Sequence, residues 1–123
     1  SGGFHGACDI VAPLETAVYA AFSGVVVESE KDWSYGTNIV VMSTINGIEY
    51  KTIYAHLDDE QAINWDVGSI VWSGDLIGYV GMTGNTTGSH LHFEIREYPF
   101  KHGKGTDDDY DGCHIDPRIF FGG

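Results

Sequence analysis

Positive charge is scarce in this chain. Six Lys and Arg stand against eighteen Asp and Glu, a formal net charge of −12 over 123 residues with histidine neutral. With no basic stripe anywhere along it, the chain is a poor partner for nucleic acid or an anionic membrane surface. Long apolar runs are missing too. The most apolar stretch, residues 10–27, is broken by Pro13, Glu15 and the Ser23-Gly24 turn signal, so no membrane insertion is expected and the domain reads as soluble. No segment sustains a 3.6-residue apolar repeat. The one helical signal is a short turn after Asp116-Pro117, with Asp as N-cap and Pro at the first helical position. Neither a repeat nor a linker divides the chain, and its length suits one domain over residues 1–123 that buries roughly two thirds of the unfolded surface. An initiator Met is absent, as is a charged start followed by an apolar run, so no signal peptide is expected within this sequence. Ser1-Gly2-Gly3 has the composition of a cloning remnant.

Cysteines number two, Cys8 and Cys113, near opposite ends of the chain. Paired, they imply an oxidising compartment and a bridge across a loop of ~100 residues, which stabilises appreciably. Unpaired, they are two reduced thiols.

Glycine, by contrast, is abundant: seventeen residues punctuate short runs rich in Val, Ile and Tyr, and this predicts an all-β fold. Candidate strands are Ala17-Ala21, Val25-Ser29, Asn38-Ser43, Glu49-His56, Leu76-Val80 and His90-Arg96. Asn46-Gly47, set between two apolar runs, predicts a two-residue hairpin because both central positions of that turn need positive φ. Tyr98 to Gly112, polar and rich in Gly and Asp, reads as a surface loop.

Six histidines are many for so weakly basic a chain. In His90-Leu91-His92-Phe93-Glu94-Ile95-Arg96, strand alternation puts His90, His92 and Glu94 on one face and Leu91, Phe93 and Ile95 on the core face. Two imidazoles then stand roughly 6 to 7 Å apart on a face expected to be open to solvent or substrate. Near the N-terminus, His5 and Asp9 lie four residues apart. With one histidine of the pair they supply two nitrogens and one oxygen, the ligand set of a catalytic zinc that keeps a fourth position for water. Cys8 is a competing ligand, but on an extended segment it points away from its neighbour Asp9, which favours pairing with Cys113. His56, at the end of a predicted strand, is either a capped surface histidine or a catalytic one.

In order along the chain stand His5 to Asp9, Ala12-Pro13, Val18-Tyr19-Ala20-Ala21, Ser23-Gly24-Val25-Val26, Tyr35-Gly36-Thr37-Asn38, Tyr54-Ala55-His56-Leu57, Gly74-Asp75-Leu76-Ile77-Gly78, Gly81-Met82-Thr83-Gly84, Thr87-Gly88-Ser89-His90-Leu91-His92-Phe93-Glu94 and Ile115-Asp116-Pro117. This series resembles the lysostaphin-type, or LytM-like, zinc endopeptidases that cut peptide cross-links of bacterial peptidoglycan. The resemblance implies a mostly antiparallel β-sheet whose loops wall an active-site groove. It also implies one zinc held by His5, Asp9 and His92, with His90 and His56 as catalytic residues that do not ligate it. His90 is the expected general base and His56 the group that orients water or stabilises the oxyanion, although either histidine suits either role. Tyr35 and Asn38 are expected along the groove. The implied substrate is a peptidoglycan peptide, met by a monomer that is secreted or held in the cell envelope.

Three departures from the family pattern stand out. Gly6 directly follows His5, with Ala7 where the usual glycine falls; Ser89 takes the place of a proline before His90; and Glu15-Thr16-Ala17-Val18 replaces a Gly-Thr-Pro-Val segment. None removes a functional group. The acidic loop, residues 97–114, is longer than usual and carries Cys113. In it Asp107, Asp109, Asp111 and Gly112 match the opening of a calcium loop, but the closing Glu position is Arg118, which rules out a helix-loop-helix site. The alternatives are a looser calcium site completed by Asp116 and a solvated acidic loop. His102 and His114 read as surface residues, and Asn85-Thr86-Thr87 reads as a turn rather than a glycosylation acceptor. The rival to an enzyme is a partner-binding module on the same fold, whose typical members lack part of the metal set. A zinc hydrolase of ordinary proteins would share the site and differ in substrate.

Overall fold

A computed structural model describes residues 6–59, 65–97 and 118–121. In chain order these residues form β1 (Gly6–Val11), β2 (Ala17–Tyr19), β3 (Gly24–Asp32), β4 (Gly36–Ile45), β5 (Ile48–Leu57), β6 (Ile70–Val71), β7 (Leu76–Tyr79), β8 (His90–Glu97) and α1 (Arg118–Phe121). Six strands make one sheet in the order β1-β8-β5-β4-β3-β6, and β2 pairs with β7 in a separate ribbon. Every pairing is antiparallel. Among the described residues no helix is long and apolar enough to cross a membrane.

The hairpin at Asn46-Gly47 forms as its chemistry requires. Asn46 has φ 52° and Gly47 φ 81°, and Ile45 faces Ile48 across the turn. Two strands escape the sequence pattern. β6 has only two residues, and β1 contains Gly6 and Asp9, poor strand formers that become extended by pairing with β8. The loop predicted over Tyr98 to Gly112 lies outside the described residues, as do Asp116 and Pro117, though the turn of helix expected after them is present as α1.

One face of the large sheet carries the core. Val26, Ile39, Val41, Tyr54, Leu57, Leu91, Phe93 and Ile95 bury there with Val18 of the ribbon and Phe120 of α1. Phe93 is the hinge of this packing, its ring centroid 5.2 Å from Tyr54 and 4.6 Å from Phe120. Truncating such a ring to Ala typically costs about 3–5 kcal/mol.

The strand pairing carries one irregularity that matters for function. From Tyr54 to Leu57 β5 takes three steps, while β4 takes two between their partners Ile39 and Thr37. The extra residue is a β-bulge, and within it His56 adopts φ 60°, the left-handed region that non-glycine residues seldom occupy. The bulge resets the alternation, so that Tyr54 and Leu57 both reach the core. His56 is thereby delivered to the opposite face, the one that His90 and His92 share.

Candidate active site

The centre of the site is a cross-strand pair. Asp9 on β1 and His92 on β8 are direct register partners, and Asp9 Oδ1 lies 2.6 Å from His92 Nδ1. His90 Nε2 lies 3.3 Å from the same carboxylate oxygen. On the neighbouring strand β5, the ring centroid of His56 is 4.8 Å from that of His90 and 6.1 Å from that of His92. Four sequence-predicted residues therefore meet on one face of three adjacent strands. His5 lies outside the described residues, as do Asp107, Asp109, Asp111 and Cys113.

Hydrogen-bond partners define the protonation pattern of His56, one of the two histidines expected not to ligate metal. His56 Nδ1 sits 2.6 Å from the carbonyl oxygen of Thr83. A carbonyl can only accept, so Nδ1 carries the proton and Nε2 of the neutral ring is left as a lone pair. His90 Nδ1 faces the carbonyl oxygen of Gly88 at 3.1 Å, with the Thr86 hydroxyl 3.2 Å away, while its Nε2 faces the Asp9 carboxylate, so acceptors flank both nitrogens of this ring. Burial, aided by repulsion from His90 and His92, pushes His56 below the usual histidine range. His92 behaves oppositely: burial alone would depress it, but hydrogen bonds with Glu94 and Asp9 hold it above the usual value.

Behind His92 lies a buried polar cluster that extends the site inward. Glu94 is 0% exposed; its Oε1 accepts from Arg96 Nη2 at 2.7 Å and lies 3.8 Å from His92 Nε2, while Oε2 accepts from the Tyr35 hydroxyl. Burial would raise this carboxyl, yet hydrogen bonds from His92, Tyr35 and Arg96 hold it at about 2. His92 is thus flanked by a carboxylate on each nitrogen, an arrangement that orients metal-binding imidazoles.

Two expectations need correction. The face of β8 is open only around His90 and His92; Glu94, 0% exposed, and Arg96, 2% exposed, are covered and paired with one another inside the protein. Asn38 does not line a groove. Its side chain is 0% exposed and its Nδ2 donates to Asp32 Oδ2 and to the Gly36 carbonyl, so it braces the turn between β3 and β4. Tyr35, on that same turn, is half-buried with its ring centroid 5.7 Å from that of His92. His56 lies near the end of β5, as expected, and there it occupies the bulge. Sequence reasoning also gave no role to Thr83 or to the Glu94-Arg96 pair. For Glu94 the His-x-His-x-Glu alternation was a usable signal, whereas nothing in the spacing of Thr83 pointed to His56.

The donor chemistry fits a zinc site in part. A carboxylate oxygen and an imidazole nitrogen converge on one point, and a carboxylate backs the same imidazole, as zinc sites require. Among the described residues no group of three His, Cys, Asp or Glu side chains is arranged to hold a metal by itself. Cys8 faces Phe93 on the core side, is 2% exposed and is not a free thiol, so it is removed from the donor set.

The profile of Peptidase family M23 matches residues 3–114. The chain belongs to this family. Among M23 relatives it is 41% identical over 92 residues to the DD-carboxypeptidase/endopeptidase Mpg of Neisseria meningitidis serogroup B, covering 75% of this chain and 20% of that protein. The fold matches a zinc-containing peptidase from Vibrio cholerae with TM-score 0.62 and 35% identity, over 72% of this chain and 26% of that one. It also matches the catalytic domain of the antimicrobial peptidase lysostaphin from Staphylococcus simulans with TM-score 0.66 and 32% identity, over 76% and 67% of the two chains. The chain spans about a fifth of the length of the curated M23 relatives it matches first.

Proposed function

We propose that this M23 domain is a zinc-dependent endopeptidase that hydrolyses peptide cross-links of bacterial peptidoglycan outside the cytoplasm. The observation that carries the reading is the placement of two further imidazoles beside the Asp9-His92 pair: His90, and His56 with its Nδ1 held by the Thr83 carbonyl. A partner-binding module has no use for two further imidazoles gathered at that pair. The names of the relatives support the substrate class, since Mpg is a DD-carboxypeptidase/endopeptidase and the Vibrio cholerae protein ShyA a peptidoglycan DD-endopeptidase.

His5, Asp9 and His92 would hold the zinc. When bound, zinc supplies Lewis-acid activation of water and of the scissile carbonyl. His90 accepts the proton of the attacking water at Nε2 and returns it to the amine that leaves as the C–N bond breaks. His56 accepts a hydrogen bond at Nε2 and so orients the water. Asp9 and Glu94 keep His92 from rotating. Tyr35 holds the outer oxygen of Glu94 and closes the cluster on its exposed side.

Cys8 pairs with Cys113 in this reading, which is supported by the burial of Cys8 and its lack of a free thiol and agrees with an oxidising compartment. Calcium has no support beyond the partial Asp107-Asp109-Asp111 pattern.

The test is release of peptides from purified walls with D-Ala-linked and with Gly-Gly cross-links, against casein as the control. Zinc-dependent release from one wall type supports the reading. Hydrolysis of casein alone, or zinc binding with no release from either wall, would overturn it.

A further inference from the structure

We propose that Thr83 is a positioning residue whose carbonyl fixes the tautomer of His56 and whose hydroxyl fixes that carbonyl in place. The inference rests on the role given to His56 above.

His56 stands in a bulge where the ladder between β4 and β5 is interrupted, in a left-handed backbone conformation that persists only where its surroundings enforce it. Thr83 supplies much of that enforcement. Its hydroxyl donates to the Leu57 carbonyl at 2.6 Å and accepts from the Thr37 backbone N–H at 3.0 Å. Thr37 and Leu57 are the register partners that close the bulge, so one hydroxyl spans both strands where the ladder is interrupted. The backbone of His56 is held as well: its N–H donates to the Tyr35 carbonyl at 2.8 Å, and its carbonyl accepts from Gly81 N–H at 3.0 Å.

The loop that carries Thr83 is pressed against the turn between β3 and β4. Asn85 N–H donates to the Ser34 carbonyl at 3.0 Å. A Cβ on Gly36 would collide with the Thr83 backbone and one on Gly84 with the backbone of Gly36, and both glycines have positive φ. Two glycines therefore permit the approach, and the Thr83 hydroxyl locks it. Remove the hydroxyl and the Leu57 carbonyl and Thr37 N–H lose their partner. The loop is then free to shift, and the Thr83 carbonyl leaves His56 Nδ1 with no reason to keep its proton.

The experiment compares the zinc-loaded unmodified protein with Thr83→Val, which keeps shape without the hydroxyl, and Thr83→Ser, which keeps the hydroxyl. Ring-nitrogen NMR reads which nitrogen of His56 carries the proton, while zinc content, kcat and KM on wall fragments are measured alongside. The expected result is Nδ1–H in the unmodified protein and in Thr83→Ser. In Thr83→Val the ring signals should become mixed or move to Nε2–H, with zinc content and KM retained and kcat lowered by about 10²-fold, the scale of a small misplacement. Nε2–H in the unmodified protein would overturn the inference, and so would a Thr83→Val variant that keeps Nδ1–H and full kcat. Should Thr83→Val fail to fold, Thr83→Ala takes its place, and the tautomer in the unmodified protein still decides. Failure of the peptidase reading is separate: it would appear as no peptide release by the unmodified protein, with the ring-nitrogen result unaffected.

Discussion

Asp9 and His92 stand directly opposite one another on β1 and β8, with carboxylate oxygen and imidazole nitrogen 2.6 Å apart. Cross-strand register alone brings these side chains together, because residues directly opposite on an antiparallel pair have Cβ atoms about 4.5–5.5 Å apart. A one-residue slip would send Asp9 to the other face.

Because Glu94 backs His92 from the far side, Glu94→Gln should weaken zinc binding by about 10- to 100-fold. Competition for zinc against a chelator of known affinity measures this. Unchanged affinity would mean that Glu94 serves the core and not the metal.

The Glu94-Arg96 pair is buried, so removing one partner should be worse than removing both. Arg96→Met leaves the Glu94 carboxylate without its closest cation and should cost about 3–5 kcal/mol. Glu94→Leu combined with Arg96→Met should recover a large part of that loss in urea unfolding. A double variant less stable than Arg96→Met would contradict the desolvation argument.

His56 sits at φ 60°, which glycine adopts freely and alanine does not. His56→Gly should therefore be more stable than His56→Ala by about 1 kcal/mol, although both lose the imidazole. Both should lower kcat by about 10²- to 10⁴-fold, the usual worth of a positioned acid-base group. Equal stability of the two variants would show that the bulge relaxes when the ring is gone.

These residues also mark what could be read from the sequence. The hairpin at Asn46-Gly47, the core face of Leu91, Phe93 and Ile95, and the proximity of His90 to His92 follow from local rules of turn chemistry and alternation. His56 does not. Its place beside His90 depends on a bulge, and a bulge depends on counting residues in two strands that are far from obvious until they pair. Burial of Glu94 and of Asn38 was hidden for a related reason. Polar residues read as exposed until the partners that satisfy them, here Arg96 and Tyr35 for the one and Asp32 for the other, are known. β1 was missing from the candidate strands because Gly6 and Asp9 disfavour a strand that β8 nevertheless templates.

The chain carries −12 formal charges, and bacterial walls are anionic. Repulsion at low salt should make wall hydrolysis rise with ionic strength until the screening length falls to about 10 Å near 0.1 M. Rates on whole walls across a salt series test this, with a short neutral peptide as the control that should respond little. A maximum at the lowest salt would refute the electrostatic account.

The measurement closest to the central claim is zinc content and peptide release on the same preparations of the unmodified protein, His92→Ala and His90→Ala. The account predicts that His92→Ala loses both, whereas His90→Ala keeps its zinc and loses hydrolysis. Zinc retained by His92→Ala, or full hydrolysis by His90→Ala, would contradict it.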